Sequence, residues 1–152
     1  MLPANPEDRE TNTRLEAETI AKGTLNPKQE FAFRIFVKHA TGERQQQLRM
    51  YIAGAAGTGK SRFIDSVRYF FKLRGEEERY VVASYMGIAA KNIEGVTLHS
   101  CLNLQGLSRM KLHGEVHESM IKYWKDKDFL IIDEVSMISL HFLHSINKAL
   151  QL

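Results

Sequence analysis

One stretch limits what this chain can fold into more than any other: Ile52 to Phe63, IAGAAGTGKSRF. It holds Gly54, four further residues, then Gly59-Lys60-Ser61, a spacing that lets backbone amides close around an anion. Upstream, Leu48, Met50 and Ile52 alternate with Arg49, Tyr51 and Ala53, which predicts a strand entering the loop. Downstream, SRFIDSVRYFFKLRG sets Phe63, Ile64, Val67, Phe70 and Phe71 on one broad face, which predicts an amphipathic helix stopped by Gly75. In a strand, loop and helix of this kind the glycines admit close backbone approach. The stretch Gly54, Ala55, Ala56, Gly57, Thr58 and Gly59 then points its amides inward. Lys60 bridges the outer phosphates of a nucleotide, and the Ser61 hydroxyl ligates Mg²⁺.

Such a site needs an acid at the end of a buried strand. Phe129-Leu130-Ile131-Ile132-Asp133-Glu134 supplies it. The apolar run predicts a strand covered on both faces. It delivers Asp133 to the sheet edge to hold Mg²⁺, with Glu134 placed to orient or deprotonate an attacking water. Lys60, Asp133 and Glu134 are thus the expected catalytic group, and hydrolysis of a nucleoside triphosphate is the chemistry it suits.

Between these motifs, YVVAS (80–84) reads as a strand and GIAAKNI (87–93) as a short helix. Residues 105–118 read as a loop and SLHFLHSINKALQL as a final helix. Asn26-Pro27 opens a helix whose body, QEFAFRIFVKHA, pairs Phe31 with Ile35, Ala32 with Phe36 and Phe33 with Val37. Strand and helix in alternation predict an α/β domain with a parallel sheet. Residues 1–24 read as a polar leader, mobile or weakly helical, and 25–152 as the domain proper.

Charge divides along that boundary. The leader has five acids (Glu7, Asp8, Glu10, Glu16, Glu18) and three bases (Arg9, Arg14, Lys22), a net of −2, while the whole chain of 152 residues carries +3. The remainder is therefore +5, compatible with a polyanionic partner without demanding one. No apolar run is long enough to cross a membrane, MLPANPEDRETN has no signal-peptide core, and the single Cys101 excludes an internal disulfide and fits a reducing compartment. His113-Gly-Glu-Val-His117 and His141-Phe-Leu-His144 lack a third ligand and are not taken as metal sites.

Two weaker signals bear on the use of the nucleotide. Gln29 has the amide to read adenine bidentately, yet it stands three residues after Asn26 and fits a capping box equally well. Thr97-Leu98-His99-Ser100 offers hydroxyl and imidazole groups at a helix start, suited to nucleic-acid phosphate or to capping.

Taken in order, LNPKQ, GAAGTGKS, YMGIAAKNIEGVTLHS and LIIDEVSMIS resemble the first motifs of the PIF (petite integration frequency) family. These are superfamily-one DNA helicases moving 5′ to 3′, and they include helicase domains of Helitron-type transposons. The resemblance covers residues 24–140, and DEVSM is its most discriminating piece. It implies a RecA-like P-loop NTPase domain, ATP as cofactor with Mg²⁺, and Gln29 as adenine reader. It also implies single-stranded or forked DNA across residues 84–100, with Thr97 and His99 as contacts, and a setting inside the cell, nuclear or mitochondrial if the source is a eukaryote. Met86 departs from the family, which often has threonine before this glycine. The later motifs, with their γ-phosphate glutamine and arginine fingers, are not among these residues. The expectation is thus the N-terminal part of a motor, incomplete as a RecA-like domain, with an uncovered sheet edge and slow hydrolysis on its own. A catalytically incompetent remnant and a different P-loop ATPase such as a helicase loader are the alternative readings.

Overall fold

The computed structural model describes residues 6–42, 46–54, 58–104 and 115–150. The chain forms two compact units that divide between Glu77 and Glu78.

The first unit is helical. The helices are α1 (Pro6–Gly23), α2 (Pro27–Ala40) and α3 (Lys60–Arg74). Asn26 caps α2 in a full capping box and Pro27 fixes its first turn, while Gly75 at φ 64° closes α3 with a left-handed residue. Phe33, Phe36, Val37 and Ala40 of α2 are buried with Phe63, Ile64, Val67, Phe70 and Phe71 of α3. Their rings meet edge to face, Phe33 with Phe70 at 5.9 Å and Phe36 with Phe71 at 5.8 Å. The buried face of α3 is the expected one. On α2 the face turns instead, leaving Phe31 68% exposed.

Two expectations in this unit are corrected. Residues 6–23, expected as a mobile or weakly helical leader, form a regular helix: α1 packs on α3, with Asn12, Leu15 and Thr19 buried along one side. Polar pairs hold it, namely Asn12 with Arg74, Glu16 with Arg34, and Glu18 accepting from the Tyr69 hydroxyl at 2.8 Å. The segment expected as a strand pairs with no other strand among the described residues. Residues 47–54 carry no strand assignment, although Leu48, Met50 and Ile52 are half-buried and the residues between them exposed. Alternation fixes which side of a chain is apolar; only a hydrogen-bonded neighbour makes it a strand.

The second unit holds a parallel sheet of order β2-β1-β3, from β1 (Tyr80–Ser84), β2 (Val96–Thr97) and β3 (Phe129–Asp133). Around it lie α4 (Gly87–Asn92), α5 (Leu98–Cys101), α6 (Glu115–Trp124) and α7 (Leu140–Ala149). Thus α6 takes the end of the stretch expected as a loop, whose residues 105–114 lie outside the described ones. Central β1 is buried from Val81 to Ser84, while β3, at a sheet edge, is half-buried throughout rather than covered on both faces. An Arg79–Asp128 ion pair of 2.7 Å and a backbone bond from Asp128 N to Arg79 O of 2.8 Å align the starts of β1 and β3. Val81, Ala83, Leu98, Cys101, Leu102 and Ile146 form the core. Burial pushes the Cys101 thiol up to about 11, which keeps it protonated and unreactive at neutral pH. No helix among the described residues is long and apolar enough to cross a membrane.

Candidate nucleotide and DNA site

The first unit carries the phosphate loop. Gly59 takes φ 82°, ψ 29° and is the N-cap of α3, so the helix begins at Lys60 with Ser61 exposed as its second residue. A side chain at Gly59 would be strained in that left-handed backbone, and its Cβ would lie 2.8 Å from the Gln29 amide nitrogen. At Gly54 a Cβ would come within 2.5 Å of the Thr58 hydroxyl. Among the described residues no side chain caps α3, and its first turn contains no acid. The first-turn amides and the positive end of the helix dipole therefore suit a phosphate group. Lys60 folds over the loop, its Nζ donating to Gly54 O at 2.8 Å. Ala55, Ala56 and Gly57 lie outside the described residues.

Gln29 does more than either sequence reading foresaw. Its Oε1 accepts from Asn26 N at 2.9 Å while Asn26 Oδ1 accepts from Gln29 N at 3.0 Å, completing the capping box. Its Nε2 also donates to Thr58 O at 3.2 Å and Gly59 O at 2.9 Å. No local pattern announces those last two bonds, because their partners are 29 and 30 residues away.

The second unit brings the side chains expected to be functional to one edge. Parallel register aligns Thr97 with Ser84 and Ser84 with Asp133, so the three end their strands in a row at the sheet's carboxyl edge. This is where ligands meet open α/β sheets. Ser84 Oγ donates to Asp133 O at 3.3 Å across that row. Asp133 is half-buried, and Glu134 follows it exposed, with φ 53°. The Glu134 carbonyl accepts from Met137 N at 3.0 Å, starting the turn Val135–Met137.

Thr97 caps α5 by accepting from Ser100 N at 3.2 Å. His99 lies in a ring cluster, 5.6 Å from Tyr85 and 4.7 Å from Phe142. Both expected DNA contacts therefore also serve the local fold, and Tyr85 and Phe142 join them as aromatic neighbours that the motif did not reveal. Met86 is the N-cap of α4 and makes no side-chain cap bond, the role a threonine would fill. No group of three or more His, Cys, Asp or Glu among the described residues is arranged to hold a metal ion. Mg²⁺ bound with a nucleotide needs only one or two protein oxygens, and Ser61 and Asp133 each carry an oxygen of that kind in their own unit.

Residues 37–151 match the AAA domain family. The chain is 30% identical to the ATP-dependent DNA helicase PIF1 of Candida albicans, over 95% of this chain and 17% of that protein. To the PIF1 helicase of Emericella nidulans it is 36% identical, over 67% of this chain and 14% of the relative. To the ATP-dependent DNA helicase RRM3 of Saccharomyces cerevisiae it is 28% identical, over 82% and 17%. The resemblance read from the motifs is thereby borne out, and the chain spans about a sixth of the length of these curated relatives. No solved structure matches it.

Proposed function

From a chain that belongs to the AAA domain family, we propose a module of an ATP-dependent DNA helicase, in which ATP hydrolysis drives movement on single-stranded or forked DNA. The observation that carries this reading is the bare N-terminus of α3, opened by left-handed Gly59 with Lys60 and Ser61 in its first turn and no acid beside them. That arrangement suits a phosphate group. The longer relatives named as ATP-dependent DNA helicases support the same use.

Each unit supplies its own part. In the first, the loop amides hold phosphate, Lys60 leaves Gly54 O for the outer phosphates, and Ser61 offers its hydroxyl to Mg²⁺. In the second, Asp133 has the carboxylate that would hold a metal ion, and Glu134 the one that would orient a water and accept its proton. When bound with the nucleotide, Mg²⁺ neutralises charge on the phosphate oxygens. Single-stranded DNA lies along Thr97 and His99, where Tyr85 and Phe142 add ring faces for bases. The setting is inside the cell, where DNA is kept: the nucleus or mitochondrion if the source is a eukaryote.

The test is ATP binding and turnover by the purified chain, with and without oligo-dT, beside Lys60→Ala. Affinity for ATP is expected to fall about tenfold or more in the variant, through loss of a charge-assisted contact to phosphate. Turnover above the variant's is expected to rise with DNA. Equal ATP binding by both proteins would remove the phosphate site and the proposal with it.

A further inference from the structure

The helix α1 runs antiparallel along α3, and polar contacts mark the seam from end to end. Asn12 meets Arg74 near one end. Farther along, Glu18 accepts from the Tyr69 hydroxyl at 2.8 Å, and the Lys22 ammonium lies 4.1 Å from the centre of the Tyr69 ring. Gly23 then faces Ser66, where a Cβ would lie 2.5 Å from the Ser66 hydroxyl, so a side chain there would force Ser66 or the helix to move. The seam closes on Arg62, whose guanidinium donates to Thr24 Oγ1 at 2.8 Å and to Thr24 O at 3.3 Å. Arg62, Ser66 and Tyr69 thus share one stripe of α3, apart from the apolar face whose rings meet α2.

Arg62 matters through its place in the helix. It lies in the first turn of α3, and its backbone N–H donates to Gly59 O at 3.1 Å. Its own carbonyl accepts from Ser66 Oγ at 2.8 Å. The residue that closes the seam with α1 is therefore bonded to the glycine that opens the phosphate-binding end of α3. On the other side of the tie, Thr24 holds φ 46°, an unfavourable backbone for a β-branched residue. Such a conformation is kept by its contacts, not by local preference.

We infer that α1 braces the phosphate-binding end of α3, with Arg62 the positioning residue that carries the docking of α1 into the first turn. This rests on the phosphate-binding reading above and adds a coupling to it. Docking of α1 and binding of phosphate strengthen each other, by the same factor in both directions.

The experiment measures binding of ATP and of inorganic tripolyphosphate by the 152-residue chain and by Arg62→Met, Thr24→Gly and Asn12→Ala. Amide hydrogen exchange in α1 is read alongside, with and without saturating tripolyphosphate. Arg62→Met keeps the aliphatic stem and loses both bonds to Thr24, so affinity for both ligands is expected to fall about tenfold. Thr24→Gly keeps the Arg62 charge, deletes the hydroxyl and relieves the left-handed strain. It is expected to weaken both ligands about threefold while Tm stays within about 2 °C. Asn12→Ala, at the far end of the seam, is expected to lower Tm and keep both affinities within about twofold. Exchange in the last two turns of α1 is expected to slow about threefold or more with tripolyphosphate in the wild-type chain, and not in Arg62→Met. A loss in Arg62→Met with Thr24→Gly unaffected would make the Arg62 charge itself a ligand contact and overturn the inference. So would a loss confined to ATP, unchanged affinity in both variants, or exchange in α1 that ignores the ligand. A wild-type chain that binds neither ligand would instead bring down the phosphate site itself.

Discussion

Glu134 holds φ 53°, a left-handed backbone that costs an L residue about 1–2 kcal/mol. It stands directly after Asp133, where β3 ends and the Val135–Met137 turn begins. Strain of this kind persists where surroundings over-determine the backbone, and it gathers at functional sites. Glycine at 134 would release it, offset in part by the extra freedom glycine gives the unfolded chain. Glu134→Gly is therefore expected to leave Tm unchanged or raise it by up to about 3 °C. Hydrolysis in the same variant falls about 10²- to 10⁴-fold, the range for loss of a general base. Calorimetry and a steady-state ATPase assay on one preparation read both quantities. A Tm several degrees lower would mean that the Glu134 side chain holds the turn together. Full activity would take the proton-accepting role from it.

At the scale of elements, legibility followed the range of the interactions. The helices α2 and α3 and the strands β1 and β3 were readable because their signals are local: Asn26-Pro27 at a start, Gly75 at a stop, an apolar run through Phe129–Asp133. The helix α1 was not, since its buried side carries Asn12, Leu15 and Thr19, only one of them a large hydrophobe, and its docking relies on Arg34, Tyr69 and Arg74 from other helices. Apolar periodicity is silent about a helix held that way. Residues 47–54 failed in the other direction, with a strand-like alternation and no ladder. In the candidate site, the glycine loop and the acidic pair stand out in the sequence because they are contiguous motifs. The two hydrogen bonds from Gln29 to Thr58 O and Gly59 O and the ring cluster of Tyr85, His99 and Phe142 do not, because each joins residues far apart in the chain. One sequence departure does have a clear element-scale consequence. Met86 caps α4 without a side-chain bond and is 46% exposed, so replacing it sacrifices little packing. Met86→Thr is expected to stabilise the protein by about 1 kcal/mol, read from the midpoint of urea unfolding. A variant that unfolds at lower urea would show that the methionine side chain packs more than its exposure suggests.

For the whole molecule, charge is the quantity that bears on DNA. The chain carries +3 in total, and part of its acidity is tied down in α1, where Glu16 pairs with Arg34 and Glu18 accepts a hydrogen bond from the Tyr69 hydroxyl. That bond is the main reason the Tyr69 hydroxyl titrates above its usual range. A net charge this small does not build a deep electrostatic funnel, so binding through it should respond gently to salt. Neutralising about three phosphates of a single strand gives a slope near −2 in log affinity against log salt, or a loss of about twentyfold between roughly 50 and 200 mM. Fluorescence anisotropy with labelled oligo-dT across that range measures it directly. A slope twice as steep would locate a concentrated basic surface that the net charge conceals, and charge-reversal of individual lysines would then map it. A salt-independent affinity would assign the contact to stacking on rings such as Tyr85 and Phe142 instead of to phosphate. Failure to bind at the lowest salt would remove DNA from what this chain does alone and leave nucleotide binding at Lys60 as the activity still to be measured.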